Sequence, residues 1–138
     1  MNLKKISLLL ALCVTNAMAQ TNCTLTLLTK KPWILHTFSD EAFPRIEMIF
    51  SNTTQTNIYK SEKGEIVFQA RYYLSETLQK YFDESKVGTS LTGKYICHED
   101  TANNSVVNYE IKSFSNNSLT IKRIDNKNAT YTNTFYNE

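Results

Sequence analysis

An all-β fold, an antiparallel up-and-down meander of about eight strands closed into a barrel, is predicted by three features of this sequence. Apolar residues recur mainly with period two, the spacing of a strand with one buried face. The apolar runs are separated by short clusters of Asn, Thr and Ser, while 138 residues contain only three glycines and two prolines, so polar turns supply the punctuation. The connections are mostly short, which favours sequential antiparallel neighbours over crossovers.

The N-terminus precedes this pattern. Lys4 and Lys5 lead into an apolar run over residues 6–14, and Ala17 and Ala19 follow. That arrangement predicts a secretory signal peptide over residues 1–19, cut between Ala19 and Gln20. The run is about half of the ~20 residues a membrane-spanning helix needs. A lipoprotein reading would acylate Cys13, but bulky Leu12 stands directly before it. The expected mature chain is a single domain over residues 20–138, exported to the periplasm or secreted, monomeric and without a transmembrane segment.

Within that domain, residues 24–29 are short enough for one or two helical turns covering a barrel end. The first strand is expected over 32–38. Ile46, Met48 and Phe50 alternate across a second strand, 45–51, and 56–61 supply a third. The longest strand, 65–75, sets Ile66, Phe68, Ala70, Tyr72 and Leu74 on one face and Gln69, Arg71 and Ser75 on the other. A second helical turn is expected at 76–81, with Leu78, Tyr81 and Phe82 at i, i+3 and i+4, followed by a polar loop to Ser90. Over 91–98, Leu91, Gly93, Tyr95 and Cys97 share a face. Residues 106–114 and 118–124 form a hairpin, since Asn116 and Asn117 between them tolerate the positive φ of a tight turn. The last strand covers 129–136, where Tyr131, Asn133 and Phe135 alternate with threonines.

Composition excludes several partners and chemistries. Loss of the two signal-peptide lysines leaves 13 basic and 13 acidic residues, with no basic block to track a phosphate backbone, so nucleic acid is not an expected partner. Cys13 leaves with the signal, and the even pair Cys23 and Cys97 then enters an oxidising compartment, where a disulfide is the default expectation. It would close a loop of 74 residue steps, worth roughly 4 kcal/mol in the chain-entropy model. Two unpaired thiols are the alternative. Neither a metal nor a cofactor is implied, because no ligand set stands beside Cys97 and His98. His36 and His98 each lack the sequence neighbours of a triad, so no enzymatic activity is expected.

Beyond these periods, an N-terminal turn, a first strand with the lone Trp33, and a meander ending in Arg123 and Phe135 resemble the lipocalin or calycin pattern. Tyr72-Tyr73-Leu74-Ser75, Phe82-Asp83, Lys86-Val87-Gly88 and Gly93-Lys94-Tyr95-Ile96 are similar to secreted lipocalin-like domains of Gram-negative bacteria. The resemblance covers most of residues 24–136. It implies that Trp33 closes the barrel floor and that Arg123 packs over its ring as a cation–π pair.

An eight-stranded barrel is either filled by side chains or just wide enough for one small ligand. The apolar set Leu35, Met48, Phe50, Phe68, Tyr72, Leu74, Tyr95, Tyr109, Ile121 and Phe135 could line such a pocket or pack a core. Arg71 could clamp a carboxylate if it pointed inward, but alternation places it outward with Gln69. The expected function is non-enzymatic binding of a small hydrophobic ligand or a protein partner. The alternative is a periplasmic inhibitor or immunity protein whose rim loops block a toxin or a cell-wall hydrolase.

Overall fold

Antiparallel pairing runs all the way round the molecule. The computed structural model describes residues 22–36, 43–124 and 131–138; the signal-peptide assignment lies outside them. A two-residue strand β1 (Cys23–Thr24) leads into a helical turn α1 (Leu25–Leu28). The barrel strands are β2 (Trp33–His36), β3 (Arg45–Phe50), β4 (Thr54–Ser61), β5 (Gly64–Ser75), β7 (Tyr95–Asp100), β8 (Ser105–Phe114), β9 (Ser118–Ile124) and β10 (Thr132–Tyr136). Each pairs with its neighbours in sequence order, and β10 closes on β2 through Tyr136 opposite Ile34. The short strand β6 (Thr92–Gly93) pairs outside the barrel with β1. The eight-stranded meander is therefore present, with boundaries close to those the alternation predicts.

One end of the barrel is filled. Trp33, Phe50, Tyr72, Leu74, Phe114 and Leu119 are buried there, and α1 lays Leu25 and Leu28 against them. Thr24 caps α1 by accepting from Leu27 N, and Trp33 Nε1 donates to Leu28 O at 3.0 Å, which pins the turn across the floor. An irregularity in β8 serves the same end. Ile111 faces Ile121, the register then slips, and Phe114 faces Leu119, which returns an aromatic side chain to the interior 5.7 Å from the Trp33 ring centroid.

The second helical turn is displaced. Residues 76–81 are non-helical because side chains claim their backbone groups: Thr77 N donates to Ser75 Oγ, Gln79 N donates to Asn108 Oδ1, and Asn108 Nδ2 donates to Gln79 O. A 3₁₀ turn forms instead at Glu84–Lys86, capped by Asp83. The β8–β9 hairpin forms without positive φ at Asn116 or Asn117. Ser115 organises it, its N–H donating to Ser118 O at 2.9 Å and its Oγ accepting from Ser118 N at 3.1 Å.

The expected Cys23–Cys97 disulfide is absent; both thiols are free and buried. The geometry explains this. Cys23 lies beside Tyr72, whose side chain is inside the barrel, whereas Cys97 lies beside Tyr73 and donates to Asn108 Oδ1 at 3.2 Å. Consecutive strand residues point to opposite faces, so the barrel wall stands between the two sulfurs.

Candidate functional site

Above the filled floor the interior opens. The change follows from the inward row of β4, where Gln55, Asn57 and Tyr59 occupy alternate positions opposite Phe50, Met48 and Ile46 of β3. Two of these three are amides, so this stretch of wall does not collapse into an apolar core.

The opening has two lobes. The inner lobe is a cavity of about 210 Å³. Leu35, Ile46, Met48, Ile121 and Phe135 supply an aliphatic and aromatic side, and Asn133 and Tyr131 come from the end of the chain. The second lobe, about 360 Å³, lies between Phe68, Gln69 and Ala70 of β5 and His98, Glu99 and Asp100 of β7. Gln55, Asn57, Tyr59, Tyr109 and Arg123 line both.

The second lobe exists because β5 and β7 part company. Their pairing runs from Ser75 opposite Tyr95 to Tyr72 opposite His98 and goes no further. From Gly64 to Gln69 the β5 strand is bonded on its β4 side alone among the described residues, and Ile66, Val67 and Phe68 are 46%, 57% and 60% exposed.

Aromatic edges shape the interior. Tyr59 meets Phe68 edge-on at 5.7 Å, and His98 meets Tyr109 edge-on at 5.1 Å. Burial, reinforced by the Arg123 charge and opposed by Asp100, pushes the His98 imidazole down to about 4, so it is neutral at physiological pH. Burial raises the Tyr109 phenol, and the Arg123 charge opposes that rise. No hydrogen bond joins His98 to an acid or a hydroxyl among the described residues. His36 lies elsewhere, exposed and 2.6 Å from Glu138. No group of three or more His, Cys, Asp or Glu stands in metal-binding arrangement among the described residues.

Gln55 is the most constrained polar group here. It is 3% exposed, and its Nε2 donates both to Met48 Sδ and to Asn57 Oδ1 at 3.2 Å. Its Oε1 is buried with no donor among the described residues.

Of the ten apolar residues expected to line a pocket, Leu35, Met48, Tyr109, Ile121 and Phe135 line the inner lobe and Phe68 the outer one. Phe50, Tyr72 and Leu74 instead fill the floor. Tyr95 is a correction of face: the interior residues of β7 are Ile96 and His98, and Tyr95 shares the outer face with Cys97.

Trp33 and Arg123 are not stacked. The Trp33 ring contact is with Phe114, and β9 rises about 13 Å from Leu119 on the floor to Arg123 at the cavity. Arg71 points outward, as alternation predicts. It is held by Glu99 and Glu84 and stacked 5.5 Å over Phe82. Sequence reasoning missed Gln55, Asn57 and Tyr59, whose signal was a polar period-two row that begins one residue before the strand expected over 56–61.

No family model matches the chain, and no curated protein or solved structure matches it. No helix among the described residues is long and apolar enough to cross a membrane.

Proposed function

We propose that this protein is an exported, non-enzymatic binding protein of the lipocalin-like kind, whose barrel holds one small, largely apolar molecule. The observation that carries the reading is the opening above the floor: an apolar wall, Leu35, Met48, Ile121 and Phe135, faces a polar row, Gln55 and Asn57, across a partly open cavity. A void of about 150 Å³ already admits a benzene-sized molecule. Export rests on Lys4, Lys5, the apolar run and Ala17 and Ala19. Kinship with the lipocalin-like domains rests on the meander and on Trp33 at a sealed floor.

Native mass spectrometry of the mature protein purified from its own source tests this. A retained adduct of a few hundred daltons, lost on denaturation, is expected; an apo mass that no added amphiphile changes overturns the reading.

A specific observation favours a second reading, an inhibitor or immunity protein that engages a protein partner. The unpaired stretch of β5 presents Ile66, Val67 and Phe68 to solvent near the barrel mouth, and an open apolar edge is a template for a strand from another chain. Under that reading Val67→Lys abolishes partner capture and leaves small-molecule binding unchanged. Under the first reading there is no partner to lose, and small-molecule binding is again unchanged, because Val67 lines neither lobe.

A further inference from the structure

Resting on the ligand-binding reading above, we propose that the cavity selects an amphiphile that carries a hydrogen-bond donor, a hydroxyl or an amide N–H, and that Gln55 is the residue that recognises it. Gln55 stands where the two lobes meet, opposite Phe50 on one side and Ala70 on the other, and it lines both. The two hydrogens of its Nε2 are committed to Met48 Sδ and Asn57 Oδ1, which fixes the orientation of the amide. Its Oε1 is thereby left as a buried acceptor without a donor among the described residues.

Buried acceptors in folded proteins are nearly always satisfied, and one that is not marks a place where something else supplies the proton. The Nε2 contact to Met48 Sδ is the weaker of the two, since a thioether is a poor acceptor; a donor-bearing occupant displaces it, and rotation about the broad terminal torsion then turns the oxygen toward the cavity. An occupant with a hydroxyl or amide N–H at that point completes the amide; an occupant with acceptors alone leaves it unmet. Sites built around a buried hydrogen-bonding group discriminate against analogues that lack the matching group far more strongly than apolar pockets discriminate by shape. The apolar part of the ligand then lies against Met48, Ile121 and Phe135, and the remainder extends toward the gap between β5 and β7.

Isothermal titration calorimetry of the mature protein with 1-octanol and with heptyl methyl ether tests the proposal. The two have the same heavy-atom count and differ in the donor. The expected result is that 1-octanol binds at least tenfold more tightly than the ether. Gln55→Met, which keeps length and removes the acceptor, should reduce that ratio to within about threefold while ether binding persists, which also shows that the cavity is still formed. Gln55→Leu serves as a second variant with the same expectation. Equal binding of the two probes to the natural protein overturns the donor selection and leaves the ligand-binding reading standing. Binding of neither overturns both.

Discussion

Arg71 grips Glu99 with two hydrogen bonds, Nε to Oε2 at 2.8 Å and Nη2 to Oε1 at 2.7 Å, one step beyond the last paired residues of β5 and β7, Tyr72 and His98. The clasp sits at the apex of the gap that opens the outer lobe. Glu99 holds the Arg71 guanidinium in its charged form, and Arg71 in turn holds the Glu99 carboxyl below its usual range. Because the pair is largely in water, its contribution to global stability is small. Its expected effect is local. Arg71→Met should speed amide exchange at Tyr73, Cys97 and Glu99 and leave β8 and β9 unchanged in hydrogen–deuterium exchange; uniform acceleration, or none, contradicts the clasp.

Gly93 is fixed by close approach. A Cβ there would stand 2.5 Å from Ser75 N and 2.7 Å from Ser75 O, and backbone cannot swing aside as a flexible side chain can. The same glycine faces Cys23 in the β1–β6 pair, so crowding would unseat the segment that leads into the floor helix. Gly93→Ala should cost at least about 2 kcal/mol, at the upper end of overpacking penalties. Urea denaturation monitored through buried Trp33 reads it directly; a midpoint shift of under a few tenths of a molar would refute the contact.

These two sites show what was legible in the sequence. The eight strands were, because a closed meander buries one face of every strand and writes period two into each run. The face of β7 was not: Ile96 and Cys97 are both buried, one by the barrel and one beneath the segment around Gln79 and Tyr81 that also receives the Tyr73 hydroxyl. When both faces are covered, alternation cannot say which is inside. The hollow was not legible either, since it depends on how large side chains are distributed along the barrel axis. Phe50, Tyr72 and Phe114 gather low, and the polar Gln55 and Asn57 lie above them.

Two free thiols are expected in the mature protein. Burial pushes both Cys23 and Cys97 up to about 12, with the Lys86 charge opposing the rise at Cys97, so neither carries appreciable thiolate at neutral pH. Ellman's reagent at pH 8 should therefore react slowly with the folded chain and should titrate two thiols per chain at once in guanidinium, without reductant. An intact mass two daltons below the reduced value would instead show the bridge. Cys97→Ala, which removes a donor to Asn108 Oδ1 that also accepts from Gln79 N, should cost less than a floor truncation such as Leu74→Ala, expected at about 2–5 kcal/mol.

The depressed histidine sets an acid limit. His98 titrates near 6.5 when unfolded and at about 4 when folded, because burial and the neighbouring Arg123 charge disfavour the imidazolium more than Asp100 favours it. Between those values the unfolded chain binds the extra proton, so stability falls as pH drops from 6.5 toward 4 and the loss saturates below that. The shift corresponds to on the order of 3 kcal/mol. The carboxylates held low by their partners, Glu47 by Lys60 and Arg45 and Asp100 by Asn103, act in the same direction, but only as pH falls through their own range. The interval from pH 6.5 to 5 thus isolates His98. Urea titrations across that interval should show a decline in the natural protein that His98→Phe abolishes while the decline below pH 4.5 persists; an unchanged slope in the variant would remove His98 as its source.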